Sequence, residues 1–500
     1  MENTPKRLGK PTLDKDLDKL TRVEAATLFV SRGLITPGIG FIFLALAMIV
    51  AGAYVIDQPG AAIVIAGSAL AAYMAMNIGA NDVANNVSPA VGSGALTMAA
   101  ALVIAAIFET LGAMLAGGDV VSTISEGIVA PSSMPAATLV WAMLAALLAA
   151  AVWINAATWL GAPISTTHAI VGAVMGAGIA AAGPTSVDWK LMSGIAMSWV
   201  LSPLLGGLVA AGALYFIKEA IIYRDDKIEA ARRWVPVLIA IMSGSFAAYL
   251  VISPLDHVLN LGLGACLLVG LVIGGLSYVI GVPVIARQSV GLENRNQSLR
   301  KLFRVPLIFS AALLSFAHGA NDVANAVGPL AAIVHAARTM ETGFDNVVPQ
   351  WIMLIGALGI SLGLLLYGPK LIDLVGKEIT KLNPMRAYCV ALSAAVTVLL
   401  ASAFGMPVSS THIAVGSVFG VGFLREWYTQ NSPRRLEYIR RRGGIADPEA
   451  IADRNPDEIR RRRLVRRSHF MTIVAAWIIT VPVTAMAAAI LFAILHALFG

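Results

Sequence analysis

The chain has 500 residues, 58% of them hydrophobic and only 13% charged, with a mean hydropathy of +0.78. Soluble domains carry about 25% charged residues, so this content excludes a water-facing surface of such size and points to an integral membrane protein. The net charge of +7 does not make nucleic acid an expected partner, because thirteen arginines crowd into the one stretch 425–467, and such a stretch reads as a cytoplasmic loop.

Residues 1–33 carry Leu13, Leu17, Leu20, Val23, Thr27 and Val30 at helical spacing, with charges on the other face. They lack a signal-peptide pattern and read as a cytoplasmic tail whose amphipathic helix lies on the inner membrane surface. Apolar runs follow at 34–56, 60–79, 95–117, 137–160, 166–183, 190–217, 234–254, 259–282, 305–319, 348–368, 385–404, 409–424 and 470–498. Most approach the roughly 20 residues that cross a bilayer as a helix, and the short ones read as half-helices. The short alternating segments of a membrane β-barrel are missing. The expected fold is therefore all-α: a polytopic membrane protein of about 12–13 transmembrane helices. The two cysteines, Cys266 and Cys389, sit inside apolar runs and read as packing thiols.

Between the runs, cations alternate. Lys and Arg number five in 218–233, five in 287–304, four in 369–386 and thirteen in 425–469. The opposite connections hold Asp57, Asp119, Glu126, Asp188, Asp256 and Asp345, with Lys190 and Arg338 as their only cations. By the positive-inside rule the N-terminus is cytoplasmic and the C-terminus outside, in a cell membrane of the bacterial inner-membrane type.

Two motifs occur twice. "GANDVAN" stands at 79–85 and again at 319–325; "GAPISTTHAIVGAVMG" at 161–176 matches "GMPVSSTHIAVGSVFG" at 405–420 in nine of sixteen positions. The offsets, 240 and 244, nearly agree, and a weaker match pairs Ser202-Pro203 with Val481-Pro482. The expected division is a tail 1–33, an extra helix 34–56, a first repeat 60–217, linking helices 218–304, a second repeat beginning at 305–424, an Arg-rich cytoplasmic loop 425–469 and a final helix 470–500. Seven runs separate the two repeat starts. Seven is odd, so the repeats have inverted topology, a mark of secondary transporters whose site lies near the midplane.

Gly, Asn and Pro in the first motif, and Gly-x-Pro before a Ser/Thr run in the second, read as broken helices followed by new N-termini. Such termini attract anions. A carboxylate at a helix centre costs about 2.5–3.5 kcal/mol on insertion scales. Asp82 and Asp322 in matched contexts therefore read as functional rather than as caps, and Asn81, Asn85, Asn321 and Asn325 go with them. Ser165, Thr166, Thr167, Ser409, Ser410 and Thr411 read as ligand hydroxyls, although such groups also bond their own helix. His168 and His412 stand open between packing and proton transfer. Glu109, with Gly356 at the matched position, is an unpaired membrane carboxyl and a candidate for coupling. His318, matched by Ile78, reads as structural. No Lys or Arg lies mid-span in the motif-bearing runs. An anion must then be held by helix ends, amides and hydroxyls, and the two Asp are sensible only with a cation or proton beside it. That is the logic of symport. The chain lacks H-E-x-x-H, G-x-S-x-G and P-loop patterns, so an enzyme and an enzymatic cofactor are not expected; a channel, usually a ring of identical subunits, fits less well.

At these motifs, "GANDVANNVSPAVGSG", "HGANDVANAVGP" and "MPVSSTH", the chain resembles the inorganic phosphate transporter (PiT) family over about 60–498. The resemblance implies uptake of inorganic phosphate by symport with H⁺ or Na⁺. Relatives that move metal–phosphate complexes or sulfate keep those substrates as alternatives, and an anion channel is a further one. The resemblance places Asp82, Asn85, Thr166, Thr167, Asp322, Asn325, Ser410 and Thr411 around phosphate and its cations, with Na⁺, if used, at Asp82 and Asp322. Sodium-type relatives carry a further acidic residue where Ala391 stands, which favours protons here. Membrane lipid is an expected partner, and a homodimer one expected assembly.

Overall fold

The computed structural model describes residues 34–160, 164–253, 261–339, 348–378, 382–441 and 467–499. The amphipathic tail 1–33 and 442–466 of the Arg-rich segment lie outside the described residues. Alanine, leucine, valine and glycine dominate, and the described chain is helical almost throughout. In order the helices are α1 Leu34–Val55, α2 Ala61–Asn81, α3 Val83–Gly92, α4 Met98–Ala116, α5 Gly118–Ser122, α6 Ala136–Leu160, α7 Thr166–Ala182, α8 Trp189–Ile217, α9 Lys227–Ile252, α10 Leu263–Gln288, α11 Asn296–Leu302, α12 Arg304–Asp322, α13 Ala324–Thr339, α14 Gln350–Glu378, α15 Pro384–Ala403, α16 Ser410–Asn431, α17 Pro433–Arg441 and α18 Arg467–Phe499. Among the described residues eleven helices are long and apolar enough to span a membrane; α7 is apolar but shorter.

Helix pairing is reciprocal between an early set (α2, α4, α6, α7, α8) and a late set (α12, α14, α15, α16, α18). α2 packs on α14 as α12 packs on α4; α7 packs on α18 as α16 packs on α8; α6 packs on α18 as α15 packs on α8. Glycine makes these crossings close enough to bring backbones into contact. A Cβ added at Gly79 would stand 1.9 Å from the carbonyl oxygen of Ile360, and one at the matched Gly319 would stand 2.1 Å from that of Glu109. Without a hydrophobic drive between helices in lipid, such small-residue seams are what van der Waals packing can use. α9 and α10 form a separate pair, and α1 lies outside α2, its Tyr54 ring stacked on Trp351 at 5.5 Å. Large apolar side chains such as Leu208, Leu271, Val279 and Ile478 are exposed, as befits a bundle whose solvent is hydrocarbon.

The breaks at GANDVAN are milder than expected: α2 gives way to α3 at Asp82 and α12 to α13 at Val323, but the residues at the boundary stay near helical angles. Asp82 keeps helical angles (φ −91, ψ −35), its N–H donates to the Ile78 carbonyl at 2.9 Å, and it makes no side-chain cap bond. Val323 is likewise helical (φ −57, ψ −33). The motif glycines serve close approach rather than a turn. The second motif does interrupt the chain: between Ala403 and Ser410 the backbone leaves the helix, with Gly405 at φ 63.

Candidate functional site

The site begins where α7 and α16 start. Ser165 accepts a hydrogen bond from the His168 N–H at 3.1 Å and Ser409 accepts one from the His412 N–H at 3.3 Å. Each serine is thus an N-cap, which leaves Thr166 and Thr167, and Ser410 and Thr411, in the first turns of α7 and α16.

There the two sets of helices meet through side chains. Thr166 Oγ1 donates to Asp82 Oδ2 at 2.7 Å and lies 3.4 Å from Asp322 Oδ2, bridging the matched carboxylates. Thr411 donates to Asp82 Oδ1 at 3.0 Å and accepts from Asn85 Nδ2 at 3.0 Å. Asn325 Nδ2 donates to Thr167 Oγ1 at 3.2 Å, and Thr167 donates to the Val408 carbonyl at 3.0 Å. Asp82, Thr166, Thr167, Asp322, Asn325 and Thr411 are all buried, and Asn85 is half-buried. Ser410 is buried at the first position of α16.

Asn81 and Asn321 are placed differently. Asn81 donates to Thr158 on α6 at 2.7 Å; Asn321 donates to Ser402 at 3.0 Å and to the Met406 carbonyl at 3.1 Å, and accepts from the Val408 N–H at 3.2 Å. Both brace the helix that precedes the second motif rather than reaching the cluster. His168 and His412 face one another, ring centroids 4.5 Å apart, with Trp199 3.8 Å from His168.

Glu109 is not unpaired. Its Oε2 lies 2.7 Å from His318 Nδ1, its Oε1 accepts from Asn86 at 2.8 Å, and His318 Nε2 is 3.2 Å from Asp322 Oδ2. A buried line thus runs from Asn86 through Glu109 and His318 to Asp322. The sequence reading missed His318. The signal was present: Glu109 and His318 are unmatched polar residues, as is Asn86, which is matched by Ala326 in the repeat, and Glu109 bonds to both of the others.

Three carboxylates face one imidazole, so the site as built favours added positive charge. Asp322 Oδ1 and Asn325 Oδ1, both buried, have no hydrogen-bond partner, which leaves two acceptors for a proton or cation. Single ligand atoms of Asp82, His318 and Asp322 all lie within 4.8 Å of one another. With the oxygens of Thr166 and Asn325 beside them, this donor set fits a hard cation, since oxygen ligands suit such ions.

The profile of the phosphate transporter family matches residues 78–488. The chain belongs to this phosphate transporter family. A relative from Helicobacter pylori strain J99, named as a candidate phosphate permease, is 46% identical over 478 residues, covering 86% of this chain and 89% of that relative. One from Pyrococcus abyssi, similarly named, is 36% identical over 423 residues, covering 84% of this chain and 95% of its own. A solved structure of a sodium-dependent phosphate transporter matches with a TM-score of 0.77 at 33% identity, covering 88% of this chain and 100% of that one. The family profile spans both GANDVAN–Ser/Thr pairs, and this member of the phosphate transporter family is a transport protein rather than an enzyme.

Proposed function

We propose that the chain is a secondary active transporter that imports inorganic phosphate by symport with a cation, protons being favoured. The observation that carries this is the Thr166 hydroxyl set between Asp82 and Asp322, one carboxylate from each GANDVAN copy. Phosphate would be held by the hydroxyls and amides of Thr166, Thr167, Ser410, Thr411, Asn85 and Asn325 at the starts of α7 and α16. The buried carboxylates would hold the co-transported charge. Protons are favoured because His318 joins two carboxylates, and because Ala391 is uncharged and fully buried. Sodium is the second reading, favoured by the likeness to a sodium-dependent transporter and by the oxygen-rich donor set. The reciprocal packing of the two helix sets supports inverted repeats, and the placement of the basic connections supports a cytoplasmic N-terminus. Metal–phosphate complexes and sulfate remain substrates to be compared.

The test is initial-rate uptake of radiolabelled phosphate into proteoliposomes under a pH gradient or a sodium gradient, with the membrane potential clamped. Uptake driven by the pH gradient alone supports proton coupling, and uptake driven by sodium alone replaces it with the second reading. Flux that dissipates with the phosphate gradient, untouched by either cation, would refute symport and favour a channel.

A further inference from the structure

At one end of the bundle, away from the transport site, lies a basic cavity of about 230 Å³, lined by Lys218, Arg300, Arg386 and Arg425 with Tyr223 and Asn383 among them. Each cation comes from a different one of the four basic connections, 218–233, 287–304, 369–386 and 425–469. The fold thus gathers four distant segments around one space. That space is many times the roughly 10–15 Å³ that admits one water, so a tetrahedral anion fits with part of its hydration shell.

Among the described residues the lining holds no carboxylate. The neighbouring Glu219 is committed elsewhere: it pairs with Arg434 at 3.0 Å and accepts from Tyr428 at 2.6 Å. Among the described residues no ion pair joins Lys218, Arg300, Arg386 or Arg425 to an acid. Lys218 is buried, with Nζ 4.1 Å over the Tyr428 ring, and Arg386 and Arg425 are close enough to repel it. Cations that only mark the inner side of a membrane would spread into water. Converging on a partly buried space without a counter-charge is costly, and an anion offsets that cost. Arginine's planar fork favours phosphate oxygens in particular.

We propose that this cavity is a second anion site that binds a phosphate group, either free inorganic phosphate or the headgroup of an anionic phospholipid. It is separate from the transport site: Arg425 and Thr411 lie on the same helix, fourteen residues and so about 21 Å apart. Occupancy at one end of α16 would therefore bear on the helix whose other end holds Thr411.

The experiment uses the full-length protein in nanodiscs. In neutral phosphatidylcholine discs, bound radiolabelled phosphate is counted per chain for wild type, for R300Q/R386Q and for Asp322→Asn. In discs containing phosphatidylglycerol, retained lipid is counted by native mass spectrometry and the melting temperature is recorded. If free phosphate is the occupant, wild type binds a phosphate whose affinity falls at least tenfold in R300Q/R386Q and survives Asp322→Asn. If the lipid is the occupant, that phosphate is missing, whereas phosphatidylglycerol stays bound to wild type, raises its melting temperature, and does neither in R300Q/R386Q. In both cases the double variant melts no lower than wild type in neutral discs, since repulsion has been relieved. The single variant R425Q, changed at a half-buried position, carries the same reading should the double variant fail to insert. Equal phosphate stoichiometry, equal lipid retention and equal melting in variants and wild type would overturn the proposal.

Discussion

Asp82 offers the sharpest perturbation, because its charge can be removed with almost no change of shape. In Asp82→Asn the carboxamide still reaches Thr166 and Thr411, which now bond Asp82 at 2.7 and 3.0 Å. Two hydrogen bonds to a charged group, about 1.5–3 kcal/mol each, become neutral ones of about 0.5–1.5 kcal/mol. The loss of roughly 2 kcal/mol is offset by release of a buried charge whose desolvation costs several kcal/mol. Melting should therefore stay level or rise. Coupling should move the other way. Removing one member of a desolvated charge pair costs about 2–5 kcal/mol, and each 1.36 kcal/mol is tenfold, so gradient-driven uptake should fall about 30- to 5,000-fold. The assay is initial-rate uptake normalised to inserted protein, with phosphate counterflow alongside. Asp322→Asn should lose uptake similarly but melt lower than Asp82→Asn, because it leaves the His318 Nε2 now 3.2 Å from that carboxylate with an uncharged neighbour. Wild-type uptake in Asp82→Asn would refute the coupling role, and a large drop in its melting temperature would show that the carboxylate is there to hold the helices.

Three further outcomes are expected. Glu109→Gln removes the charge facing His318 Nδ1 at 2.7 Å and should cut net uptake at least tenfold while counterflow persists; equal loss of both would make Glu109 a packing residue. Gly319→Ala, whose Cβ would stand 2.1 Å from the Glu109 carbonyl oxygen, should lower the melting temperature sharply or block assembly, whereas Gly118→Ala, with open space around it, should not; similar melting of the two would contradict the close seam. In a background lacking Cys266 and Cys389, phosphate should protect Thr411→Cys from a small polar thiol reagent and chloride should not; labelling that ignores phosphate would place the substrate elsewhere.

The helix count and the pairing of motifs could be read directly from the chain, because apolar length and a long identical repeat are one-dimensional signals. The roles inside the motifs could not. Asn81 and Asn85 are four residues apart in the same motif, yet one braces Thr158 and the other reaches Thr411 across the molecule. Periodicity puts both on one helix face; which neighbour covers each end of that face is a tertiary fact. The mildness of the break at GANDVAN was hidden for a similar reason. Gly79 and Gly319 looked like turn residues, but a glycine wanted for its missing Cβ and one wanted for its backbone freedom are indistinguishable in a single sequence. His318 was discounted for lacking a repeat partner, when its partner was another unmatched residue, Glu109. The basic connections were legible as charge, but their convergence on one cavity was not.

The seams between the early and late helices also bear on biosynthesis. Gly172 and Gly176 on α7 are closed by Val481 and Ala485 on α18, so the face that supports Thr166 is finished only by the last helix of the chain. At about 5–20 residues per second of synthesis, the roughly 300 residues between them take about 15–60 s. Throughout that interval α7 sits in the bilayer with its backbone groove open to lipid or to whatever attends insertion. The site is therefore unassembled until α18 is made and inserted, and α18 acts as the key that completes it.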